Sequence, residues 1–280
     1  MQYTIAIPDS AVIDCNDIRT KTEKIFQISR IAAIFKIRDI ILYHDPFLKP
    51  SRANRERRII TRILEYIECP QYLRKRLIPL SRDTSAVGVL SPLATPHHLR
   101  SRELKSNEIR EAAIFLNQGR IVADVGGTQL LEVISPLNKP LKDRILRVTV
   151  RIHKNNGFKA EILREPPKDR YWGFSVHSSA ASLGKLLRNR LELKMATSRS
   201  CQNISTVPIK DVKNKNLLVA FGGPYKGIPE MVKAEGKKVS DLFDTCFNIL
   251  QKYGTRALRL EEAMMITFSK LDDRLSEKLH

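Results

Sequence analysis

The sequence has no run of about eighteen apolar residues, so no segment has the length and apolarity of an ordinary membrane-spanning helix. Its four cysteines, Cys15, Cys69, Cys201 and Cys246, form no CxxC pair, which argues against a zinc site on paired thiols. Its six histidines show no HxxxH spacing, and the adjacent pair His97-His98 is poorly placed to share one ion, so no metal is expected. There is no internal repeat and no low-complexity tail. Residues 1–8 read as a strand and not as a signal peptide. A cytoplasmic protein with reduced, partly buried thiols is therefore expected. Acidic residues are scarce: thirty Asp and Glu stand against forty-nine Lys and Arg, for a net charge of +19. That excess implies a polyanionic partner, with nucleic acid the default. An anionic membrane surface is the rival, but the basic residues recur throughout and do not flank one apolar helix.

What is present reads as two kinds of structure. Residues 3–7 alternate toward a short strand, residues 20–35 place Ile25, Ile28, Ala32 and Phe35 at helical spacing, and residues 39–44 form an apolar strand. Strand, helix, strand is the sign of a parallel α/β sheet. A second helix is expected after Ser51, with Ile59, Ile60, Ile63, Leu64 and Ile67 on its apolar side. Its other side carries Arg52, Arg55, Arg58 and Arg62, followed by Arg74, Lys75 and Arg76. Like charges one turn apart cost helix stability, which a phosphate-bearing partner would relieve; a solvated charged face is the alternative.

Two proline-rich crossings, at residues 91–96 and 166–168, frame a middle region with strand periodicity. Residues 119–134 read as a hairpin with a Gly-Gly turn, residues 144–152 alternate basic and apolar, and residues 158–163 suggest another strand. A small OB-type barrel at residues 97–167 is expected, with Arg147 and Arg151 on a basic, RNA-binding surface. Residues 175–193 read as mostly helical, residues 207–221 as a polar turn and strand, residues 239–247 as a helix, and residues 261–271 as a closing helix.

Near the C-terminus an apolar strand runs into Phe221-Gly222-Gly223-Pro224-Tyr225-Lys226-Gly227. A second loop, Phe247-Asn248-Ile249 to Gly254-Thr255-Arg256, feeds a helix. Glycines after a buried strand let a ligand approach the main chain, although each loop alone is an ordinary turn. In this order the loops resemble the cofactor loops of the SPOUT methyltransferases. Met195-Ala196-Thr197-Ser198-Arg199 looks like the first of that family's three loops. Ile28-Ser29-Arg30-Ile31-Ala32-Ala33-Ile34-Phe35 looks like its first-helix motif. Pro96-His97-His98-Leu99 and Tyr171-Trp172-Gly173-Phe174 look like the branch with an inserted OB-like domain. Departures stand at Phe26, Ser200-Cys201, Tyr253 and Ala257.

The resemblance implies an α/β fold: a trefoil-knotted, parallel-sheet SPOUT domain at residues 1–96 and 168–280, interrupted by the OB-like β-barrel. It implies an S-adenosylmethionine-dependent RNA methyltransferase acting on a pyrimidine base of ribosomal RNA, working as a homodimer. An RNA-binding protein of the same fold without efficient transfer is the alternative. The implied cofactor residues are Thr197, Ser198, Phe221, Gly222, Gly223, Gly227, Phe247, Asn248, Ile249, Gly254, Thr255 and Arg256. Phe247 and Ile249 also read as plain core residues. Arg30 is the implied catalytic or RNA-orienting residue; an exposed arginine paired with Glu23 or Asp39 is its simpler reading. Glu262 reads as a helix cap and Glu261 as a candidate for the cofactor's positive end.

Overall fold

The first strand, β1 (Tyr3–Pro8), buries Ile5, Ala6 and Ile7 completely. The computed structural model describes residues 2–135, 141, 144–206, 215–252 and 254–276. Along the chain follow α1 (Ile18–Ile34), β2 (Ile37–His44), α2 (Pro50–Glu68) and α3 (Gln71–Leu77). Next come β3 (Ile109–Asn117), β4 (Arg120–Asp124), β5 (Leu131–Val133), β6 (Leu146–Lys154) and β7 (Phe158–Ile162). The chain then forms β8 (Ser175–Ser182), α4 (Leu183–Leu187), β9 (Leu193–Asn203), β10 (Leu217–Ala220), α5 (Ile228–Ala234), β11 (Thr245–Asn248) and α6 (Leu260–Ser276). It divides into two compact units, residues 1–65, 86–90 and 174–280, and residues 66–85 and 91–173.

The first unit is a six-stranded sheet in the order β11-β9-β10-β1-β2-β8, parallel at every pairing. Parallel strands are covered on both faces and so read as apolar runs. Strand alternation assigns the faces. Tyr3 meets Phe268 of α6, 5.3 Å between ring centroids, and Phe35 at the end of α1 lies 5.7 Å from that same ring. Ala6, Ile41, Tyr43, Leu218 and Ala220 pack instead with Leu183 and Leu187 of α4 and Ile228, Met231 and Val232 of α5. Helix α1 starts where Asp17 accepts from the backbone N–H groups of Arg19 (2.8 Å) and Thr20 (3.0 Å), a side-chain cap.

Two segments expected to be helical are not. Residues 175–182 form β8, an edge strand whose side chains are exposed or half-buried, so no apolar alternation marks it. Residues 245–248 form β11 after a single 3-10 turn at Val239–Asp241. Four residues are too few for any periodicity to appear. Helix α2 starts at Pro50, so Ser51 lies inside it. The polar turn expected from residue 207 lies mostly outside the described residues.

In the second unit β3-β4-β5-β7-β6 closes into a barrel, antiparallel except for β5 with β7. Ala112, Ile114, Ala123, Leu131, Val150, Ile152 and Ala160 fill it. This unit also contains residues 66–85, whose Cys69 and Leu73 pack with Ala113 of β3. A buried ionic network belongs to it. Arg147 donates to Glu68 (Nη1–Oε2 2.5 Å, Nη2–Oε1 3.0 Å) and to Glu111 (Nε–Oε2 2.7 Å). The second Glu111 oxygen accepts from Thr149 (2.7 Å) and from the Trp172 indole N–H (2.6 Å). His97 Nε2 lies 3.1 Å from Glu68 Oε1, and His98 Nε2 donates to the Glu68 carbonyl at 2.7 Å. A side chain on Gly173 would come within 2.3 Å of Glu68 Oε1, and its φ of +89° independently requires glycine. The His97-His98 and Trp172-Gly173 motifs thus meet at one structural network.

That network makes the fold acid-sensitive. Burial pushes His98 down from 6.5 to about 4, with His97 adding to the effect. Burial pushes the Glu68 carboxyl up, but hydrogen bonds from His97 and Arg147 and the arginine charge outweigh it, bringing it down to about 2. Both folded values lie below the unfolded ones, so the unfolded chain binds the extra protons. His98 contributes stability that is full above about 6.5 and lost as pH falls through about 4. Glu68 contributes stability that is full above about 4.5 and lost toward about 2. Denaturant titrations at pH 7, 5 and 3.5 are expected to show a loss on the order of a few kcal/mol. The His98→Asn variant should flatten the pH 7 to 4 segment; a wild type equally stable at pH 7 and 4 contradicts the assignment.

Candidate functional site

Strands β11, β9 and β10 are sheet neighbours, so the loops leaving their carboxyl ends share one edge. The order turns back between β10 and β1: the chain runs from β1 to β2 on one side, while β10 pairs the other flank of β1. In open parallel sheets such a reversal leaves a crevice at the carboxyl ends. The fixed register explains how residues far apart in sequence gather here. Thr197 donates to the Ala220 carbonyl at 3.3 Å. Asn248 Nδ2 donates to the Arg199 carbonyl at 3.3 Å, and Arg199 donates to the Arg256 carbonyl. Residues 195–199, expected as the first loop, instead lie within β9, where its pairing with β11 shifts register after Ala196, and Thr197 and Ser198 there form one cluster with Asn248 and Arg256. Gly254 and Thr255 are exposed beside it, with Thr255 donating to the Ala257 carbonyl at 3.0 Å. Tyr253 lies outside the described residues.

Phe247 and Ile249 are buried, in keeping with their reading as core, and so is Phe221. Phe221 is also pinned at the mouth of its loop: the buried Tyr43 hydroxyl donates to its carbonyl at 2.7 Å. The glycines have packing reasons of their own. A Cβ on Gly222 would stand 2.7 Å from the Gly227 Cα, so the loop closes backbone against backbone. A Cβ on Gly223 would stand 2.6 Å from Ser10 Oγ. Gly227 N–H donates to Glu230 at 3.1 Å as α5 begins.

One expectation fails here. Cys201 of β9 and Cys246 of β11 are joined in a disulfide, not reduced. The two strands are sheet neighbours, which brings residues 45 apart in sequence to a Cα–Cα distance of 5.7 Å. No spacing rule reveals such a pair. Cys15 is a half-buried free thiol; burial pushes the free thiol of Cys69 up to about 11.

The carboxyl ends of β1 and β2 carry a buried polar cluster that the sequence reading missed. Asp9 is fully buried and accepts from Arg57 Nη2 at 2.7 Å and from the Asp45 N–H at 3.0 Å. His44 Nδ1 lies 3.1 Å from the same carboxylate. Ser10 donates to Asp45, and it is Ser10 that Gly223 abuts. A signal for this cluster existed. Glu56 and Arg57 fall on the apolar phase of α2, where a charge has to be paired to be buried. Glu56 accepts from Lys21 at 2.5 and 2.6 Å.

Arg30 is the twelfth residue beyond the start of α1, about 18 Å along its axis. Helix α1 begins at the carboxyl edge and runs back, ending at Phe35 beside Phe268 and Tyr3. Arg30 is thus nearer the amino edge than the loop cluster of its own subunit. Of the two acidic residues suggested beside it, Glu23 lies 3.2 Å from Arg19 and Asp39 2.6 Å from His177. Glu262 accepts from the Arg259 N–H at 2.8 Å, as a cap does. Glu261 is buried 3.7 Å from Lys24 Nζ, and its Oε2 accepts no hydrogen bond among the described residues.

Of the basic residues, Arg52, Arg55, Arg58 and Arg62 are all exposed on α2, and Lys75 is exposed on α3. Arg74 donates to the carbonyls of Cys69 (2.9 Å) and Ile67 (3.1 Å), closing the end of α2. Arg76 pairs with Asp124 at 2.5 Å and stacks 4.6 Å over Phe115. Arg147 faces Glu68 and Glu111, and Arg151 is half-buried on β6. Among the described residues no group of three or more His, Cys, Asp or Glu is arranged to hold a metal, and no helix is long and apolar enough to cross a membrane.

The chain is similar to known proteins over nearly its whole length. The chain is 28% identical to a 28S rRNA (uridine-N(3))-methyltransferase of Drosophila melanogaster, with 99% of this chain and 63% of the fly protein aligned. It therefore spans less than two thirds of that relative's length. A human protein of the same name is 26% identical over 97% of this chain and 78% of its own. An uncharacterised protein of Halobacterium salinarum is 25% identical over 97% of this chain and 99% of its own. Residues 2–271 match the family model described as "Putative RNA methyltransferase", and the chain belongs to that family.

Proposed function

We propose that the protein methylates a pyrimidine base of ribosomal RNA, the N3 atom of a uridine, using S-adenosylmethionine. The observation that carries this reading is the cluster formed by residues 197–199 of β9 and the loops that follow β10 and β11, beside the sheet's order reversal, in a chain of an RNA methyltransferase family. The donor set suits that cofactor. Main-chain groups of residues 221–227, 248–252 and 254–256 and the hydroxyls of Thr197, Ser198 and Thr255 offer uncharged hydrogen bonds for adenine and ribose. When bound, the cofactor supplies an activated methyl group. The protein's part is to align donor and acceptor and to exclude water.

The finer fold reading belongs to the same proposal: a SPOUT domain with its trefoil knot, and an OB-like barrel as the inserted module. The strand order and the five-stranded closed barrel support it. So does a homodimer, because Arg30 lies toward the amino edge and would reach an acceptor most directly from a second subunit. Ile34 of α1 and Met265 of α6, 50% and 40% exposed, give those helices an apolar outer surface for such contact.

Two measurements test the reading. Calorimetry with S-adenosylhomocysteine is expected to give saturable binding, and an unmethylated transcript of the large ribosomal RNA is expected to gain N3-methyluridine. Absence of binding at millimolar ligand sinks the cofactor assignment; binding without transfer supports an RNA-binding protein of the same fold. The exposed arginines of α2 give a further expectation. If they meet phosphates of single-stranded RNA, replacing all four by glutamine should reduce the salt slope of binding by about 0.7 per lost contact. An unchanged slope places the RNA elsewhere.

A further inference from the structure

We propose that His44, held by Asp9, accepts the N3 proton of the base to be methylated, and that Phe47 is the ring on which that base stacks. The proposal rests on the reading of base methyl transfer above and assigns two residues to its acceptor side.

The geometry carries the first part. An ionised Asp9 only accepts hydrogen bonds, so the 3.1 Å contact puts the hydrogen on His44 Nδ1 and leaves Nε2 a lone pair. Asp9 is held in turn by Arg57 and by the Asp45 N–H, so the imidazole is oriented by a fixed group. The His44 side chain is 25% exposed while Asp9 is fully buried: the ring reaches solvent and its orienting carboxylate does not. Asp9 follows β1, Asp45 follows β2, and Arg57 comes from α2. Strand β8 brings Ser182, the register partner of His44, whose hydroxyl donates to Glu235 at 2.9 Å. Arg57 Nε is buried without a hydrogen-bond partner among the described residues, so the cluster is not a closed set of structural pairs.

The surroundings carry the second part. Asp45 turns the chain by accepting from the Phe47 N–H at 2.9 Å, which presents Phe47 at 52% exposure. The Gly222–Gly227 loop lies against the same cluster through Gly223 and Ser10, and its Lys226 sits 5.4 Å from the Phe47 ring centroid. Tyr225 beside it is 70% exposed. Exposed aromatic rings with a cation alongside are what unstacked RNA bases rest on.

The chemistry balances. The uridine N3–H bond breaks toward His44 Nε2, and the electron pair left on N3 forms the new N–CH₃ bond. The S–CH₃ bond of the donor breaks, its electron pair stays on sulfur, and the imidazolium beside Asp9 returns its proton to water.

The test uses the full-length protein, with large ribosomal RNA transcribed in vitro from either uridine or 5-fluorouridine triphosphate. The fluorinated base has the more acidic imide. Single-turnover rates are read from pH 6 to 9, with S-adenosylhomocysteine affinity measured alongside. His44→Gln is expected to slow transfer to the uridine transcript at least 100-fold near pH 7. The deficit should shrink toward alkaline pH and on the 5-fluorouridine transcript, with cofactor affinity unchanged. Phe47→Ala should raise the KM for the transcript about tenfold, and Phe47→Trp should restore it. A His44→Gln deficit that is equal on both transcripts and flat with pH overturns the proton role, as does full activity. An unchanged KM in Phe47→Ala overturns the stacking role. A wild type that transfers nothing to either transcript overturns the methyl-transfer reading and this proposal with it; a wild type that transfers beside an unaffected His44→Gln overturns the proposal alone.

Discussion

Replacing Arg147 by methionine is expected to destabilise the barrel unit by about 3–5 kcal/mol, the cost of breaking a buried ion pair from one side. The guanidinium is the common partner of Glu68 and Glu111, 6% and 4% exposed. Burial works against the arginine's charge, but hydrogen bonds and charges from both glutamates outweigh it and raise its pKa above the ordinary value. Without it, Thr149 and Trp172 still donate to Glu111, and His97 still lies beside Glu68, but two buried carboxylates face each other without a cation. Methionine keeps much of the volume, so the loss is electrostatic. Denaturant unfolding at pH 7 measures it, and adding Glu68→Gln to the variant should recover part of the loss. A change below about 1 kcal/mol would show Arg147 to be a surface cation after all. The same variant separates two roles. A structural arginine changes stability, whereas an RNA contact changes the salt slope of binding and leaves stability alone.

The second large effect belongs to the loop glycines, which are expected to part company. Alanine at Gly222 places a Cβ 2.7 Å from the Gly227 Cα and 3.1 Å from the Ile228 nitrogen, both main-chain atoms that no rotamer change can move. The loop has to open. Stability should fall by about 1–3 kcal/mol, as overpacking does, and S-adenosylhomocysteine affinity by about 10- to 100-fold. Gly254 is exposed, its φ is not positive, and a Cβ there meets nothing within 4 Å. Gly254→Ala should leave stability unchanged. Any loss of affinity it shows then reports a ligand approaching the main chain at that point. Equal affinity in the wild type and in both variants would remove these loops from the cofactor site.

Much of the architecture was legible before any coordinates. Apolar runs marked β2 and β10 because parallel strands are buried on both faces, and alternation marked β1. Helical spacing marked α1, α2 and α6, and the shift to period two between the proline crossings marked β4, β5, β6 and β7 but not β3 (Ile109–Asn117). The loops at residues 221–227 and 247–256 stood out by their glycines, and the basic excess pointed to a polyanion. Strand β8 was not legible because its faces are polar and exposed at the sheet edge, nor β11 because it is four residues long.

The sequence by itself therefore determined what local pattern and bulk charge can encode: which segments bury a face, where the chain turns, and what kind of partner a charge of +19 attracts. Partnership over long separations was decided by the tertiary structure alone. Cys201 meets Cys246 because β9 and β11 are neighbours, and Arg57 reaches Asp9 because it falls on the inward, apolar phase of α2. Arg147 meets Glu68 across 79 positions because the segment after Glu68 packs, through Cys69 and Leu73, on Ala113 of β3, the register partner of Arg147. Periodicity reports only whether a residue is buried. Which other residue it meets there is set by sheet order and register, and those are fixed by the packing of the whole chain.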